Sequence, residues 1–199
     1  ALAVAETALK NGADELAVAR LNEALAIRKA GIGAPLLIFG FVSPRHTSEM
    51  IDLHLRPTVS SLSLARAFSD EARKTGKKLK VHIKIDTGMG RLGLLPDVLA
   101  SGAAGCMEDI LSITRLPGLD IEGIYTHFAN ADSLDKTYAD RQFNCFSEVL
   151  EELKKKDVVF ALRHAANSAA AIDMPRTRLD MVRLGISLYG LYPGPLLRK

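Results

Sequence analysis

Four short stretches of this sequence carry polar side chains in settings that suit chemistry better than packing. The first runs Lys84-Ile85-Asp86-Thr87-Gly88-Met89-Gly90-Arg91-Leu92-Gly93. Alternation along its leading strand puts Val81, Ile83 and Ile85 on one face and His82, Lys84 and Asp86 on the other. A lysine turned into an interior is costly unless it is paired or its charge is changed. The three glycines that follow would let backbone approach a ligand closely, with Arg91 projecting from the same loop. The plainer alternative is a turn carrying a surface salt bridge. The second stretch is Tyr125-Thr126-His127-Phe128, where His127 either takes part in catalysis or is a satisfied structural histidine. The third is His164-Ala165-Ala166-Asn167-Ser168-Ala169-Ala170. Asn or Ser before a run of alanines opens a helix, and either caps it or joins its free N–H groups in holding an anion such as phosphate. The fourth, Arg183-Leu184-Gly185-Ile186-Ser187, sets a cation at the end of an apolar segment and a glycine at the next turn. Two successive anion candidates point to one phosphorylated ligand.

These residues need elements to position them, and the apolar periodicity supplies alternating helices and strands. Strands are expected at 15–19, 35–39, 57–60, 79–86, 122–127, 158–164 and 181–184. Helices are expected at 1–11, 21–30, 45–53, 63–74, 96–116, 137–155 and 167–172, several of them stopped by glycine. Repeated βα units with largely hydrophobic strands mean a parallel sheet covered by helices. A doubly wound sheet stays open as the alternative, but it usually carries a Gly-rich phosphate loop after its first strand, and none is present. The fold class expected is therefore α/β, an incomplete (β/α)₈ TIM-type barrel with about seven of eight βα units. All four stretches then fall at C-terminal strand ends, where barrel enzymes keep their chemistry, and the last two fall where barrels commonly bind phosphate.

Composition narrows the function classes. The 199 residues allow one domain with a sizeable core. Lys and Arg number 26 against 23 Asp and Glu, a formal net charge of +3, too small to argue for nucleic acid or a membrane surface. Aromatic residues are 6% with no Trp, so no base-stacking platform is suggested. The two cysteines, Cys106 and Cys145, show no metal-ligand or redox spacing, which favours a reduced, cytoplasmic setting and no metal. The chain opens on Ala1 in mid-pattern of an amphipathic helix, so it reads as a barrel cut just after its first strand.

In order and spacing, four segments resemble alanine racemase: VHIKIDTGMGRLG (81–93), EGIYTHFANAD (122–132), HAANSAA (164–170) and MVRLGISLYGLYP (181–193). The segment 12–32 is similar to that family's second strand and helix. The resemblance implies a barrel domain that binds pyridoxal 5′-phosphate (PLP), in a cytoplasmic homodimer that interconverts L- and D-alanine for the bacterial cell wall. Carried over by position, Ser168 would bind the PLP phosphate, helped by the backbone of Gly185 and Ile186 and by Asn167. Arg183 would face the pyridine nitrogen, with His164 behind it. Arg91 would reach the phenolic oxygen and the substrate, and His127 would flank the cofactor. Lys84 matches a lysine that is carbamylated in many members, a change that would turn an inward cation into an anion beside Arg91.

The resemblance also places the cofactor-bonding lysine before Ala1, and the opposite-face tyrosine in a C-terminal β domain beyond Lys199, so these 199 residues are not expected to racemise alanine by themselves. Two alternatives stay open: a non-catalytic PLP-binding barrel of the kind implicated in vitamin B6 homeostasis, and a racemase for serine or another amino acid. Related decarboxylases place a carboxylate at the pyridine nitrogen, and Arg183 counts against them.

Overall fold

A computed structural model describes residues 2–96, 99 and 105–194. Six strands and seven α-helices are formed among them: α1 (Leu2–Lys10), β1 (Leu16–Val18), α2 (Leu21–Lys29), β2 (Leu36–Ile38), α3 (Thr47–Asp52), β3 (Leu55–Val59), α4 (Leu62–Lys74), β4 (Leu79–Lys84), α5 (Cys106–Thr114), β5 (Leu119–Tyr125), α6 (Thr137–Lys154), β6 (Leu162–His164) and α7 (Ser168–Asp173). Short 3₁₀ turns occupy Pro44–His46, Pro175–Thr177 and Ile186–Tyr189.

The chain divides into two compact units, Ala1–His82 with Ser112–Glu122, and Ile83–Leu111 with Gly123–Lys199. In the first, β1, β2 and β3 pair in parallel, Leu16 beside Leu36 and Leu36 beside Leu55. Its core is aliphatic: Leu36, Ile38, Met50, Val59, Ala65 and Phe68 are all fully buried. Helix α4 shows why the pattern folds as it does. Ser61 Oγ accepts the Leu64 N–H at its start, and Leu64, Ala65, Phe68 and Ala72 line its inner face at helical spacing. Three basic side chains meet one carboxylate in the same unit. Glu122 pairs with Arg56, lies 3.1 Å from Lys80 Nζ, and has its Oε2 3.2 Å from His82 Nε2. Burial works against that carboxylate, but hydrogen bonds from His82, Arg56 and Lys80 hold it far below the usual range.

In the second unit β5 and β6 pair in parallel, Gly123 beside Leu162 and Tyr125 beside His164. Ile83, Ile85, Ile124, Phe128 and Phe146 form its core. Strand order follows chain order from β1 to β6. A doubly wound sheet reverses direction at a switch point, so that alternative is excluded and the sequential order of a (β/α)₈ barrel remains.

One expected strand does not form: residues 181–184 are irregular. They still follow β6, because Asp180 N–H donates to Arg163 O (3.1 Å) and Arg183 N–H to Ala166 O (2.9 Å). Two hydrogen bonds three residues apart fix Arg183 without a ladder. Two strands begin earlier than periodicity predicts, at Leu55 and Leu119, and the expected strand at 158–164 shortens to Leu162–His164. The expected helix at 96–116 is observed from Cys106 to Thr114; residues 97–98 and 100–104 lie outside the described residues.

Candidate functional site

All the chemistry-bearing strand ends belong to the second unit, and three local structures position them. The first is the loop after β4. Asp86, 6% exposed, turns its carboxylate back onto its own loop. Oδ1 accepts the N–H groups of Gly88 (3.0 Å), Met89 (2.8 Å) and Gly90 (3.1 Å), and Oδ2 accepts that of Arg91 (3.0 Å). Four successive amides are thereby satisfied by one side chain. These four amides therefore already have an acceptor within the loop. The glycines are needed for shape. Gly93 has φ +139, and a Cβ there would sit 2.7 Å from Asp86 N. The loop delivers Arg91, whose exposed side chain forms no ion pair among the described residues.

The second structure is the end of β5. Thr126 Oγ1 and Thr87 Oγ1 are 2.7 Å apart, and both residues are buried. His127 follows, its ring held neutral. Burial first, then Arg183, Arg91 and Lys84, pull its pKa to about 4. Lys84, 6% exposed, stands on the same face as Asp86 as the alternation requires. Burial lowers its pKa, Arg91 and Arg183 push the same way, and Asp86 opposes them. An inward lysine is thus confirmed, with its ammonium 5.8 Å from the centre of the Tyr125 ring.

The third structure joins α7 to the segment around Arg183. Asn167 caps α7, its side chain accepting the Ala170 N–H at 3.0 Å. The capping reading therefore holds for Asn167, while Ser168 does something else. Ser168 Oγ accepts the N–H groups of Gly185 (2.9 Å) and Ser187 (3.3 Å). The amides of Gly185 and Ser187 thus converge on this hydroxyl. With both bonds incoming, the Ser168 proton has no acceptor among the described residues. The buried Ser187 Oγ has no hydrogen-bond partner either. An ideal Cβ on Gly185 meets nothing within 4 Å. A Ser168 hydroxyl proton and a buried Ser187 hydroxyl, both without an acceptor among the described residues, fit an anion such as a phosphate group.

Arg183 ties the second and third structures together. Its Nη2 donates to Thr126 O (2.7 Å) and Ala165 O (2.9 Å), and its Nη1 donates to His164 Nδ1 (2.7 Å). Guanidinium cannot accept, so His164 Nδ1 must, and His164 carries its proton on Nε2. Its ring stacks on Tyr125, centroids 4.7 Å apart at 8°. Burial lowers the Arg183 pKa from 12.5 to about 10, which leaves a cation at neutral pH. Its Nε–H and one Nη1–H have no acceptor among the described residues.

Lys84, Arg91, His127, His164, Ser168, Arg183 and Gly185 all fall within this one unit. Sequence reasoning missed Asp86 as the organiser of its loop, Gln142 and Tyr138 on α6, and Ser187. A carboxylate directly before a glycine-rich run was the available signal for Asp86. Gln142 left none, because only packing brings α6 to the loops.

The chain is similar to known proteins along nearly its whole length. The profile described as alanine racemase, N-terminal domain, matches residues 1–193. Alanine racemase of Methanococcus maripaludis is 47% identical over 98% of this chain and 51% of its own length. That of Desulfosudis oleivorans is 49% identical over 96% of this chain and 49% of its own length. Among solved structures, Clostridium difficile 630 alanine racemase in complex with cycloserine superposes with TM-score 0.92 at 37% identity, covering 100% of this chain and 53% of that one. The chain therefore spans about half the length of the curated relatives it matches. With both the profile and the superposition running through the segments that carry Lys84, His127, Ser168 and Arg183, the chain belongs to the alanine racemase family, in its N-terminal domain.

Proposed function

We propose that the complete protein is a PLP-dependent racemase interconverting L- and D-alanine, and that this chain supplies most of its cofactor cradle. The observation carrying the reading is Arg183, a cation at neutral pH locked by a neutral histidine and two carbonyls, in the same unit as a hydroxyl pair without acceptors. Bound PLP supplies an electron sink for negative charge at the substrate α-carbon. Everything else is the work of protein groups. Ser168 donates its hydroxyl proton to the phosphate, with the Gly185 and Ile186 backbone and Asn167 beside it. Arg183 donates to the pyridine nitrogen and, being unable to take a proton from it, keeps that nitrogen unprotonated. This restrains charge delocalisation and suits the removal and return of one α-proton without side reactions. Arg91 reaches the phenolic oxygen and the substrate carboxylate.

His127 flanks the cofactor as a neutral ring. Lys84 is a candidate for carbamylation: its neutral amine adds to CO₂ and loses one proton, placing an anion beside Arg91. Neither of the two proton-transferring groups is assigned to a residue of this chain. A homodimer in the cytoplasm is the expected setting, and no described helix is long and apolar enough to cross a membrane.

The test is the complete protein loaded with PLP and given L-alanine, L-serine and L-lysine in separate assays for the D-enantiomer. Fastest turnover of alanine supports the proposal. Turnover of serine alone reassigns the substrate, and tight PLP binding with no racemisation favours the non-catalytic barrel. Arg183→Glu is expected to protonate the pyridine nitrogen and divert turnover toward transamination; unchanged partitioning would remove Arg183 from the pyridine nitrogen.

A further inference from the structure

Gln142 lies on the second turn of α6 and is fully buried, although nothing in the reaction calls for it. Its amide is used on both sides. Oε1 accepts the Ala129 N–H at 2.9 Å, and Nε2 faces His127 O at 3.3 Å and Thr87 Oγ1 at 3.4 Å. One side chain thereby grips the segment after β5 twice and the segment after β4 once. One turn earlier, Tyr138 Oη donates to Gly88 O at 2.8 Å. A Cβ on Gly88 would lie 2.5 Å from that same Tyr138 Oη, so the loop and the helix are in close contact.

We infer that Gln142 is a positioning residue that fixes the loop carrying Arg91 in register with the strand end carrying His127. The inference rests on the proposed reading of Arg91 and His127 as groups at the cofactor. Continuity of contacts makes it mechanical. Thr87, which Gln142 holds, is hydrogen-bonded to Thr126 (2.7 Å), and the Thr126 carbonyl holds Arg183 (2.7 Å). A shift of α6 therefore reaches Arg91 through Thr87 and Asp86, and reaches His127 directly through its carbonyl. Only a group with an acceptor on one side and a donor on the other fills this position. Methionine matches the shape and offers neither; ionised glutamate accepts from Ala129 but sets a carboxylate against the His127 carbonyl. A protonated glutamate regains one donor.

The experiment uses the complete protein in two forms. In the cofactor-free form, hydrogen exchange is read on peptides spanning 86–93 and 126–132. Gln142→Met is expected to speed exchange in both while peptides of the first unit keep their parent rates. In the PLP-loaded form, Gln142→Met is expected to lower kcat on the order of 10- to 100-fold, as misplacement of a reacting group does, with KM changed far less. Gln142→Glu is expected to add an acid-favoured limb to the pH profile, activity falling as the introduced carboxyl ionises, a limb absent from parent and Gln142→Met. Exchange unchanged in both peptides, or raised equally everywhere, overturns the inference, as does a Gln142→Glu profile parallel to the parent. Exchange is read without cofactor or substrate, so failure of the racemase reading leaves it standing and is seen separately as absent turnover by the parent.

Discussion

The loop after β4 and the loop around Gly185 look alike in sequence, each a glycine turn beside an arginine, yet they are opposites in hydrogen bonding. After β4 four donors in succession are answered from within, by the Asp86 carboxylate. At Ser168 the amides arrive and the hydroxyl protons are left over. A closed loop gives a rigid mount for Arg91, and an open one gives a place for an anion. Glycine marks both, so what separates a mount from a site is whether an acceptor lies within the same turn.

The largest expected effect tests closure. Asp86→Ala leaves four amides without their acceptor, and is expected to cost roughly 3–5 kcal/mol in denaturant unfolding of the complete protein. A loss below about 1 kcal/mol would mean the loop is not held from within. Next comes the charge imbalance on the open side. His127 titrates near 4 when folded and near 6.5 when unfolded. As pH falls, the unfolded chain takes up this proton first, so stability present above pH 6.5 is lost between 6.5 and 4, by roughly 3 kcal/mol. Ring resonances of His127 followed by NMR should place the midpoint near 4, and added phosphate should raise it. A midpoint near 6.5 would mean that the three cations are already compensated.

The glycines then separate the two loops directly. Gly93→Ala forces a left-handed φ and a contact at Asp86 N, and should cost roughly 2 kcal/mol. Gly185→Ala meets open space and should change stability of the cofactor-free protein by less than about 0.5 kcal/mol. Equal costs would erase the distinction. A last, modest effect is expected at the anion itself. Ser168→Ala should weaken PLP binding about 10-fold, equivalent to about 1.4 kcal/mol, measured by fluorescence titration. Affinity equal to that of the parent would place the phosphate elsewhere.

Much of this was legible in sequence, for identifiable reasons. Alternation placed Lys84 and Asp86 on one face, and both are buried there. The alanine-rich run marked α7, and its first residues fell where expected. The strand order of a barrel followed from repetition of βα units. Elsewhere the local signal was ambiguous or missing. Residues 181–184 are apolar enough to read as a strand, but Arg183 is fixed by two backbone bonds and by its own side chain instead. Asp86 belonged to the reading as a polar residue, but four simultaneous acceptances are a property of the turn's three-dimensional path. Gln142 is 55 residues from the Thr87 it holds, and no periodicity reports a partner at that separation.

The ionic group around Glu122 has a consequence for how the strands find their alignment. Arg56, His82 with Lys80, and Glu122 come from three strands, β3, β4 and β5. A strand displaced by one residue turns each of these side chains to the opposite face. Such a slip would cost little among the interchangeable leucines, isoleucines and valines nearby, but it would strand a carboxylate in the interior with no cation. The pairs add little net stability over an apolar layer of the same volume. Their worth lies in making a one-residue slip of these strands expensive, so that charge works here as an alignment key cut into an otherwise featureless hydrophobic surface.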